Sequence, residues 1–324
     1  MFNRADRLPS RYAETIVLVT VLTLTVVLMS VLTRGRLLGI RSFEAMAFQM
    51  PLLGVLTLAQ MLPMLTGGID LSVISTANLT GILTALVLTR IDVWYATALG
   101  VAVGLTAALS VGAVNGLVVA FFEVSPIIGT LAMMILVKGV ALAITRGYVI
   151  AGFPNQFLFI GGGSVLGIPT PFVLLTVTAI AMSVMLTRSP FGVSAYMFGS
   201  NPVATQFSGI NTRMLLLRTY TISGLLSGLA GLIMISRFNA AQADYGASFL
   251  LLTVLVCVLG GVDPAGGVGR VVDVAVALAI LQTVATGFNL MGLSSHLANA
   301  LWGAILILVI IIRRSLSGAG FQRS

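Results

Sequence analysis

Residues 93–121 read VWYATALGVAVGLTAALSVGAVNGLVVAF, a run without a single charged side chain. A helix needs about 20 predominantly apolar residues to cross the hydrocarbon core of a bilayer. This run meets that requirement, and comparable runs recur along the chain. Bounded by charges and by Gly or Pro, the candidate spans are 14–33, 46–66, 70–89, 93–121, 127–145, 171–187, 214–236, 248–260, 271–291 and 297–312.

The composition excludes a water-soluble globule. Of the 324 residues, 58% are hydrophobic and only 8% are charged, whereas an ordinary soluble domain carries about 25% charged residues. A nucleic-acid-binding domain or a disordered chain is excluded for the same reason. We predict an all-α, polytopic membrane helical bundle of about ten transmembrane helices, several of them interrupted. It comprises a cytoplasmic tail at 1–13, a single transmembrane domain at 14–312 and a second cytoplasmic tail at 313–324.

The positive charges predict an orientation, because cytoplasmic loops carry an excess of Lys and Arg. With the N-terminus inside, ten arginines fall on the cytoplasmic side and six outside, and Lys138 lies within a span. The distribution favours both termini inside. The segment 147–170 should then lie outside as a loop with a short dipping piece, and the segment 188–213 inside.

Residues that favour helix ends predict a short helix within the inner segment 188–213. Asn201 can cap a helix, Pro202 fits its first position, and Gly209 can end it. Residues 202–208 would form about two turns, which is too short to be stable alone in water. Such a helix either lies on the membrane or its own bundle, or is presented to another protein. The residues concerned are Gly199, Asn201, Pro202, Ala204, Thr205, Ser208, Gly209 and Ile210.

Small residues form stripes in two spans, at Gly100, Gly104, Gly112 and Gly116 and at Ser223, Gly224, Ser227, Gly228 and Gly231. Small side chains let helix backbones approach closely in lipid. These stripes therefore predict tight helix packing rather than a ligand site.

A Gly-Gly-x-Asp pattern occurs twice, between apolar runs: Gly67, Gly68, Asp70 and Gly260, Gly261, Asp263. Paired glycines break a helix, and an Asp there can cap the next one. The orientation puts both breaks on the cytoplasmic side. Interrupted helices at matching positions are typical of a transporter core.

The chain lacks the residues of an enzyme or of an ATP-binding protein. Gly139 follows its only lysine, Lys138, so it has no phosphate-binding loop of the G-x-x-x-x-G-K-[ST] type. His296 is its only histidine and Cys257 its only cysteine, so paired metal ligands are missing. The sequence predicts no catalytic residue and no metal site.

Two charged residues inside spans have alternative interpretations. Asp273 is a candidate proton site, but Arg270 lies three residues earlier and predicts a local ion pair. Lys138 could extend its side chain outward to the membrane surface or could line a polar path.

Several segments, in order, resemble the permeases of bacterial ABC-type sugar importers for ribose, galactose, xylose and autoinducer-2. They are 67–72 (GGIDLS), 114–122 (VNGLVVAFF), 125–134 (SPIIGTLAMM), 195–213 (AYMFGSNPVATQFSGINTR), 223–231 (SGLLSGLAG) and 258–269 (VLGGVDPAGGVG). The resemblance covers roughly residues 45–312. Ile74, Val203 and Asp273 depart from the residues usual in that family.

The resemblance implies a multi-pass protein of the inner membrane with several partners. They are an ABC ATPase subunit that carries ATP and Mg, a periplasmic or extracellular solute-binding protein, and a second permease copy, identical or not; no nucleic acid is implied. The chain itself would hold no cofactor. The segment 188–213 would be the coupling segment, with the helix at 202–208 seated in a groove of the ATPase.

The function implied is translocation of a sugar or sugar-like neutral solute by alternating access; the alternative is an ion-coupled secondary transporter. Polar residues within spans could line the path or could bond neighbouring helices. They are Gln49, Gln60, Thr76, Asn78, Asn115 and Thr130.

Overall fold

The computed structural model describes residues 8–91, 93, 95–293, 297 and 303. Over this part of the chain nearly all regular structure is helical, which confirms the predicted all-α class. The predicted tail 313–324 lies outside the described residues, as does the predicted span 297–312 apart from two isolated positions.

Twelve α-helices are present in the described part of the chain. The first six are α1 Leu8–Leu32, α2 Ile40–Leu65, α3 Val73–Arg90, α4 Ala96–Phe121, α5 Pro126–Thr145 and α6 Asn155–Gly162, with a 3₁₀ turn at Arg36–Leu38. The others are α7 Thr170–Arg188, α8 Pro190–Ser200, α9 Pro202–Phe207, α10 Thr212–Phe238, α11 Phe249–Leu259 and α12 Val271–Leu290.

Within the residues that the structure describes, four two-residue strands lie in the connecting loops. They are β1 Ile150–Ala151, β2 Ser164–Val165, β3 Ile168–Pro169 and β4 Ala240–Ala241. β1 pairs antiparallel with β4, and β2 with β3. The first pair ties the loop after α5 to the loop after α10.

Among the described residues, eight helices are long and apolar enough to cross a membrane: α1, α2, α3, α4, α5, α7, α10 and α12. They match eight of the ten predicted spans. The predicted span 248–260 is the 11-residue helix α11, which at about 1.5 Å per residue covers only about half of the hydrocarbon core. Helix α1 begins at Leu8, within the predicted tail, although its apolar part starts at Thr15.

Helices α4 and α10 pack with their backbones in near contact, as the small-residue stripes predict. A Cβ atom added to Gly224 would lie 2.8 Å from the Cα of Gly112, and one added to Gly116 would lie 2.8 Å from the Cα of Leu217. Neither helix can carry larger side chains on this face. Close approach is what holds helices together in lipid, where hydrophobic burial between them gains little.

The connections divide between the two ends of the bundle. One end, called here the coupling end, holds the segments 66–72, 122–125, 189–211 and 260–270. There an Arg213–Glu123 ion pair of 3.3 Å joins the start of α10 to the segment 122–125. The other, the loop end, holds the segments 146–169 and 239–248. The predicted outer segment 147–170 contains helix α6, whose Gly161 N–H donates to Ser236 Oγ of α10 at 2.8 Å.

Candidate coupling and solute-path sites

The first helix break, Gly67–Ser72, is a compact buried turn between α2 and α3. Gly67 has a φ of +75°, a left-handed conformation that favours glycine. The Gly68 N–H donates to Pro63 O at 2.9 Å and so closes the end of α2. A Cβ on Gly68 would lie 2.6 Å from the Tyr220 hydroxyl oxygen of α10. Both glycines are therefore required by the shape of the break.

Asp70 lies at the centre of this break and is almost completely buried. Its Oδ1 accepts from the Ser72 N–H at 2.9 Å and from Ser72 Oγ at 2.7 Å, and its Oδ2 accepts from Ser223 Oγ at 3.2 Å. The prediction that Asp70 caps the next helix is wrong, because α3 begins at Val73 with Ser72 at its cap position. The carboxylate instead binds the break to α10.

Three of the predicted solute-path residues, Gln60, Asn115 and Thr130, surround the same break. The Gln60 amide, in the orientation that satisfies both of its polar atoms, donates to Asp70 O at 2.8 Å and accepts from the Asp70 N–H at 3.2 Å. Asn115 Nδ2 donates to Ser72 Oγ at 2.7 Å. All three side chains are buried, so each one holds the interrupted backbone in place.

Thr130 completes this set from α5. Its hydroxyl oxygen accepts from the Leu71 N–H at 3.0 Å and lies 2.7 Å from Pro126 O, to which it donates. A break in a membrane helix leaves backbone groups that water cannot satisfy. Side chains of α2 and α5 supply such partners here, whereas Asn115 of α4 and Ser223 of α10 bond the side chains of Ser72 and Asp70.

The other three predicted path residues lie elsewhere. Thr76 is buried on α3. Asn78, also on α3, donates from Nδ2 to Ala243 O at 2.9 Å and to Tyr245 O at 3.0 Å. Gln49 Oε1 accepts from Gln282 Nε2 at 3.1 Å, and both glutamines line a cavity of about 300 Å³.

The second helix break, at Gly260–Asp263, has a similar form. Gly261 has a φ of +84°, and the Val262 N–H donates to Cys257 O at 2.9 Å. Asp263 Oδ1 accepts from the Ala265 N–H at 2.8 Å. Helix α12 begins only at Val271, so the predicted capping of the next helix is wrong here also. The carboxylate stabilises the turn that follows the break.

The two breaks and the end of α8 meet at the coupling end. The Gly267 N–H donates to Leu65 O at 2.9 Å, which joins the segment after α11 to the end of α2. A Cβ on Gly266 would lie 2.8 Å from both Gly67 N and Gly199 Cα. We call this backbone contact of Gly67, Gly199, Gly266 and Gly267 the glycine junction. Only residues without side chains fit at such distances.

Tyr196 adds a side-chain connection beside the junction, since its hydroxyl donates to Gly269 O at 2.7 Å. The sequence analysis singled out Gly67 and Gly199 but not Gly266 and Gly267. A second pair of adjacent glycines after the Gly-Gly-x-Asp pattern was the signal that could have found them. The contact of Gly267 with Leu65 joins residues some two hundred positions apart, so no local sequence pattern predicts it.

The predicted short helix is present as α9, Pro202–Phe207. Asn201 Oδ1 accepts from the Ala204 N–H at 2.9 Å, which confirms it as the cap, and Pro202 is the first helical residue. Ser208 is the C-cap residue of α9, and Gly209 after it has a φ of +81°. The adjoining residue Ile210 leads into Asn211, whose side chain caps α10.

Helix α9 is exposed at every residue except Thr205. Thr205 is buried, whereas Val203 and Phe207 are 63% and 89% exposed. Residues four apart lie on the same face of a helix. Phe207 was not among the predicted coupling residues, although a large aromatic side chain in a short inner helix was a usable signal.

The two charged residues with alternative interpretations both form ion pairs. Asp273 Oδ2 lies 3.8 Å from Arg270 Nε, as predicted, and its Oδ1 accepts from Thr15 Oγ1 of α1 at 2.7 Å. Lys138 Nζ lies 2.6 Å from Asp244 Oδ1, in the segment that follows α10. No pattern in the sequence predicts the second pair.

Comparison with known proteins shows which family this chain resembles. The family profile described as "Branched-chain amino acid transport system / permease component" matches residues 42–310. A ribose import permease protein, RbsC, of Escherichia coli strain K12 is 36% identical over 262 residues, which are 80% of this chain and 81% of that protein. RbsC of Bacillus subtilis strain 168 is 32% identical over 272 residues, or 83% of each chain.

A more distant relative covers more of the chain. The autoinducer 2 import system permease protein LsrD of Yersinia enterocolitica is 28% identical over 313 residues, which are 94% of this chain and 92% of that protein. No solved structure matches this chain.

Proposed function

This chain belongs to the family of branched-chain amino acid transport system permease components, and on that premise we propose that it carries a neutral, hydroxyl-rich solute such as a sugar across the membrane by alternating access. It is the permease subunit of an ABC-type importer of the inner membrane and is not an enzyme. The alternative of an ion-coupled secondary transporter has no support from its relatives, whose names describe ribose and autoinducer 2 import permeases.

Membership of this family implies two of the partners. A permease of an ABC importer works with an ATPase and with a substrate-binding protein. In our proposal ATP and Mg act on that ATPase, and the chain binds no cofactor of its own. A second permease copy, identical or not, would complete the pathway, and residues 14–312 would form the single transmembrane domain of each copy.

Helix α9 is the proposed contact with the ATPase. Its exposed face presents Val203 and Phe207, whereas Thr205 on the other face is buried. An exposed apolar surface on a helix outside the spans favours docking into a protein groove. Gly199, Asn201, Pro202, Ala204, Ser208, Gly209 and Ile210 would shape the helix and its two ends.

The glycine junction is the single observation that carries the coupling mechanism. The end of α8 touches the backbone at the end of α2 and at Gly266–Gly267, which follow the second break, and α9 follows α8 after one residue. A displacement of α9 by the ATPase would therefore be transmitted to α2 and α11 through backbone contacts. Backbone contacts deform less under such a displacement than contacts between side chains do. Gly67, Gly68 and Asp70, with Gly260, Gly261 and Asp263, would act as the hinges at which these helices tilt.

The solute path would run beside the first break. Gln60, Asn115 and Thr130 would keep the break in shape at the wall of the path, and Thr76 and Asn78 would continue that wall along α3. Gln49 would contribute from the loop end, where it lines the cavity with Gln282, Arg237 and Ser248. The scarcity of charged residues along these helices suits a neutral solute, since an ion would need compensating charge.

The test is uptake by the reconstituted complex. The chain would be placed in vesicles with its ATPase and its binding protein, and radiolabelled ribose would be compared with an amino acid and with a small cation. We expect the vesicles to take up ribose, and we expect this uptake to require ATP on the side of the membrane where the ATPase is bound. Uptake that persists without the ATPase would overturn the coupling, and uptake of the cation alone would overturn the solute class.

A further inference from the structure

The ion pair between Lys138 and Asp244 lies far from the ends of the helix that carries it. Lys138 is on α5, Pro126–Thr145, seven residues before the nearer end. At about 1.5 Å per residue this places its backbone roughly 10 Å inside the helix end. The Nζ–Oδ1 distance of 2.6 Å shows that the ammonium group is directed to Asp244.

Asp244 is held within the bundle by α3. Asn78 Nδ2 donates to the carbonyl groups on both sides of it, Ala243 O at 2.9 Å and Tyr245 O at 3.0 Å. Asn78 lies twelve residues before the end of α3 at Arg90, or roughly 18 Å along the helix. The segment 239–248 therefore enters the bundle from the loop end, and it brings its carboxylate to Lys138.

The pair is nevertheless half exposed in the single chain, with 48% of the Lys138 side chain and 50% of the Asp244 side chain accessible. Charges in contact with hydrocarbon are costly even when they are paired. One turn earlier on α5, Ile135 is 63% exposed and apolar, as a lipid-facing residue should be. Ile135 is suited to lipid, whereas the ion pair three residues away on the same helix requires polar surroundings.

We propose that Lys138 and Asp244 form a polar contact for the solute in the wall of a water-filled path along α5 and the segment 239–248. This inference rests on the proposed function for the identity of the solute. The ammonium group donates and the carboxylate accepts hydrogen bonds, so the pair offers both kinds of partner to the hydroxyl groups of a sugar. The pair has no net charge, which suits a neutral solute and not an ion.

Cysteine labelling of the assembled complex tests whether the pair faces water. In a chain whose buried Cys257 is replaced by Ala, Lys138→Cys and Asp244→Cys would be treated with a membrane-impermeant thiosulfonate. Ile135→Cys, three residues away on the same helix, is the matched control. Since the thiolate forms only in water, we expect labelling roughly tenfold or more faster at 138 and 244 than at 135.

Solute protection tests whether the path carries the solute. The sugar transported by the complex should slow labelling at 138 and leave Leu166→Cys, 98% exposed in the loop β2–β3, unchanged. Equal, slow labelling at 135 and 138 would overturn the inference and assign the pair to a lipid-covered or subunit-covered surface. Fast labelling without protection would overturn the solute contact.

Neutral replacements separate a contact from a structural role. Lys138→Gln with Asp244→Asn keeps the hydrogen-bonding shape, so we expect the half-saturating solute concentration for uptake to rise several-fold while the maximal rate and complex assembly stay the same. A lower maximal rate with unchanged half-saturation would contradict the contact. If the unmodified complex showed no ATP-dependent uptake, the proposed function would fail, whereas the labelling result would still decide this inference.

Discussion

The Gly267 amide donates a hydrogen bond of 2.9 Å to the carbonyl of Leu65, the last residue of α2. It connects the end of α2, just before the first break, to the segment that follows the second break. Because Gly199 at the end of α8 is packed against the same two segments, three elements at the coupling end form one backbone contact. In our proposal, a movement of α9 reaches the bundle through this contact.

Enlarging Gly199 should disrupt that contact. A Cβ there would overlap with Leu65 O and with Gly267 N, and neither backbone atom can give way easily. We expect Gly199→Ala to lower stability by about 1–3 kcal/mol and to abolish ATP-dependent uptake, as measured by thermal unfolding in detergent and by vesicle transport. Gly139→Ala is the matched control, since open space surrounds its Cβ position; equal behaviour of the two variants would contradict the role of the junction.

Removing the Asp70 carboxylate should destabilise the first break. Asp70→Ala leaves the Ser72 N–H and the hydroxyls of Ser72 and Ser223 without their acceptor in a buried site. We expect a loss of about 3 kcal/mol, because unsatisfied buried donors are costly. Asp263→Ala at the more exposed second break should lose less than half as much. A melting temperature equal to that of the unmodified chain would show that Asp70 does not hold the break.

Truncating Phe207 should weaken assembly without affecting the fold. The side chain is 89% exposed, so Phe207→Ala removes almost no contact within the chain. We expect co-purification of the ATPase to fall at least about tenfold, as for an aromatic anchor at the centre of an interface, with an unchanged melting temperature. Leu166→Ala at the loop end is the control for loss of an exposed apolar side chain. Normal ATPase binding by the Phe207 variant would remove α9 from the interface.

The two ends of the bundle should label from opposite sides of the membrane. Val203→Cys on α9 and Leu166→Cys between β2 and β3 are both well exposed. In intact cells we expect an impermeant thiol reagent to modify position 166 alone, and in inverted vesicles position 203 alone. Labelling of position 203 in intact cells would reverse the orientation that the arginine distribution predicts.

Much of the architecture could be predicted because it depends on local chemistry. The length of an apolar run fixes whether a helix can cross the bilayer, and α3, α4 and α10 follow their predicted spans closely. Asn201 and Pro202 define α9 through contacts within a few residues. The stripes containing Gly112 and Gly224 indicated close packing, although not which helices would meet.

The functional residues were predicted less completely, because their roles depend on distant partners. Asp70 was expected to cap the helix that follows it, but the burial of the break provided Ser223 of α10 as a partner instead. Gln60, Asn115 and Thr130 were expected as a group of path residues, and their common contact with one break is a property of packing. Lys138 could have turned outward until Asp244 was brought beside it.

Hydropathy, charge and capping signals thus established a multi-span helical membrane protein with two broken helices and a short inner helix, since each of these features is encoded within one or two helical turns. The contact of Gly267 with Leu65 and the pair of Lys138 with Asp244 required the folded chain. Each joins residues more than a hundred positions apart, and no periodicity in the sequence records which surfaces will meet when the helices pack.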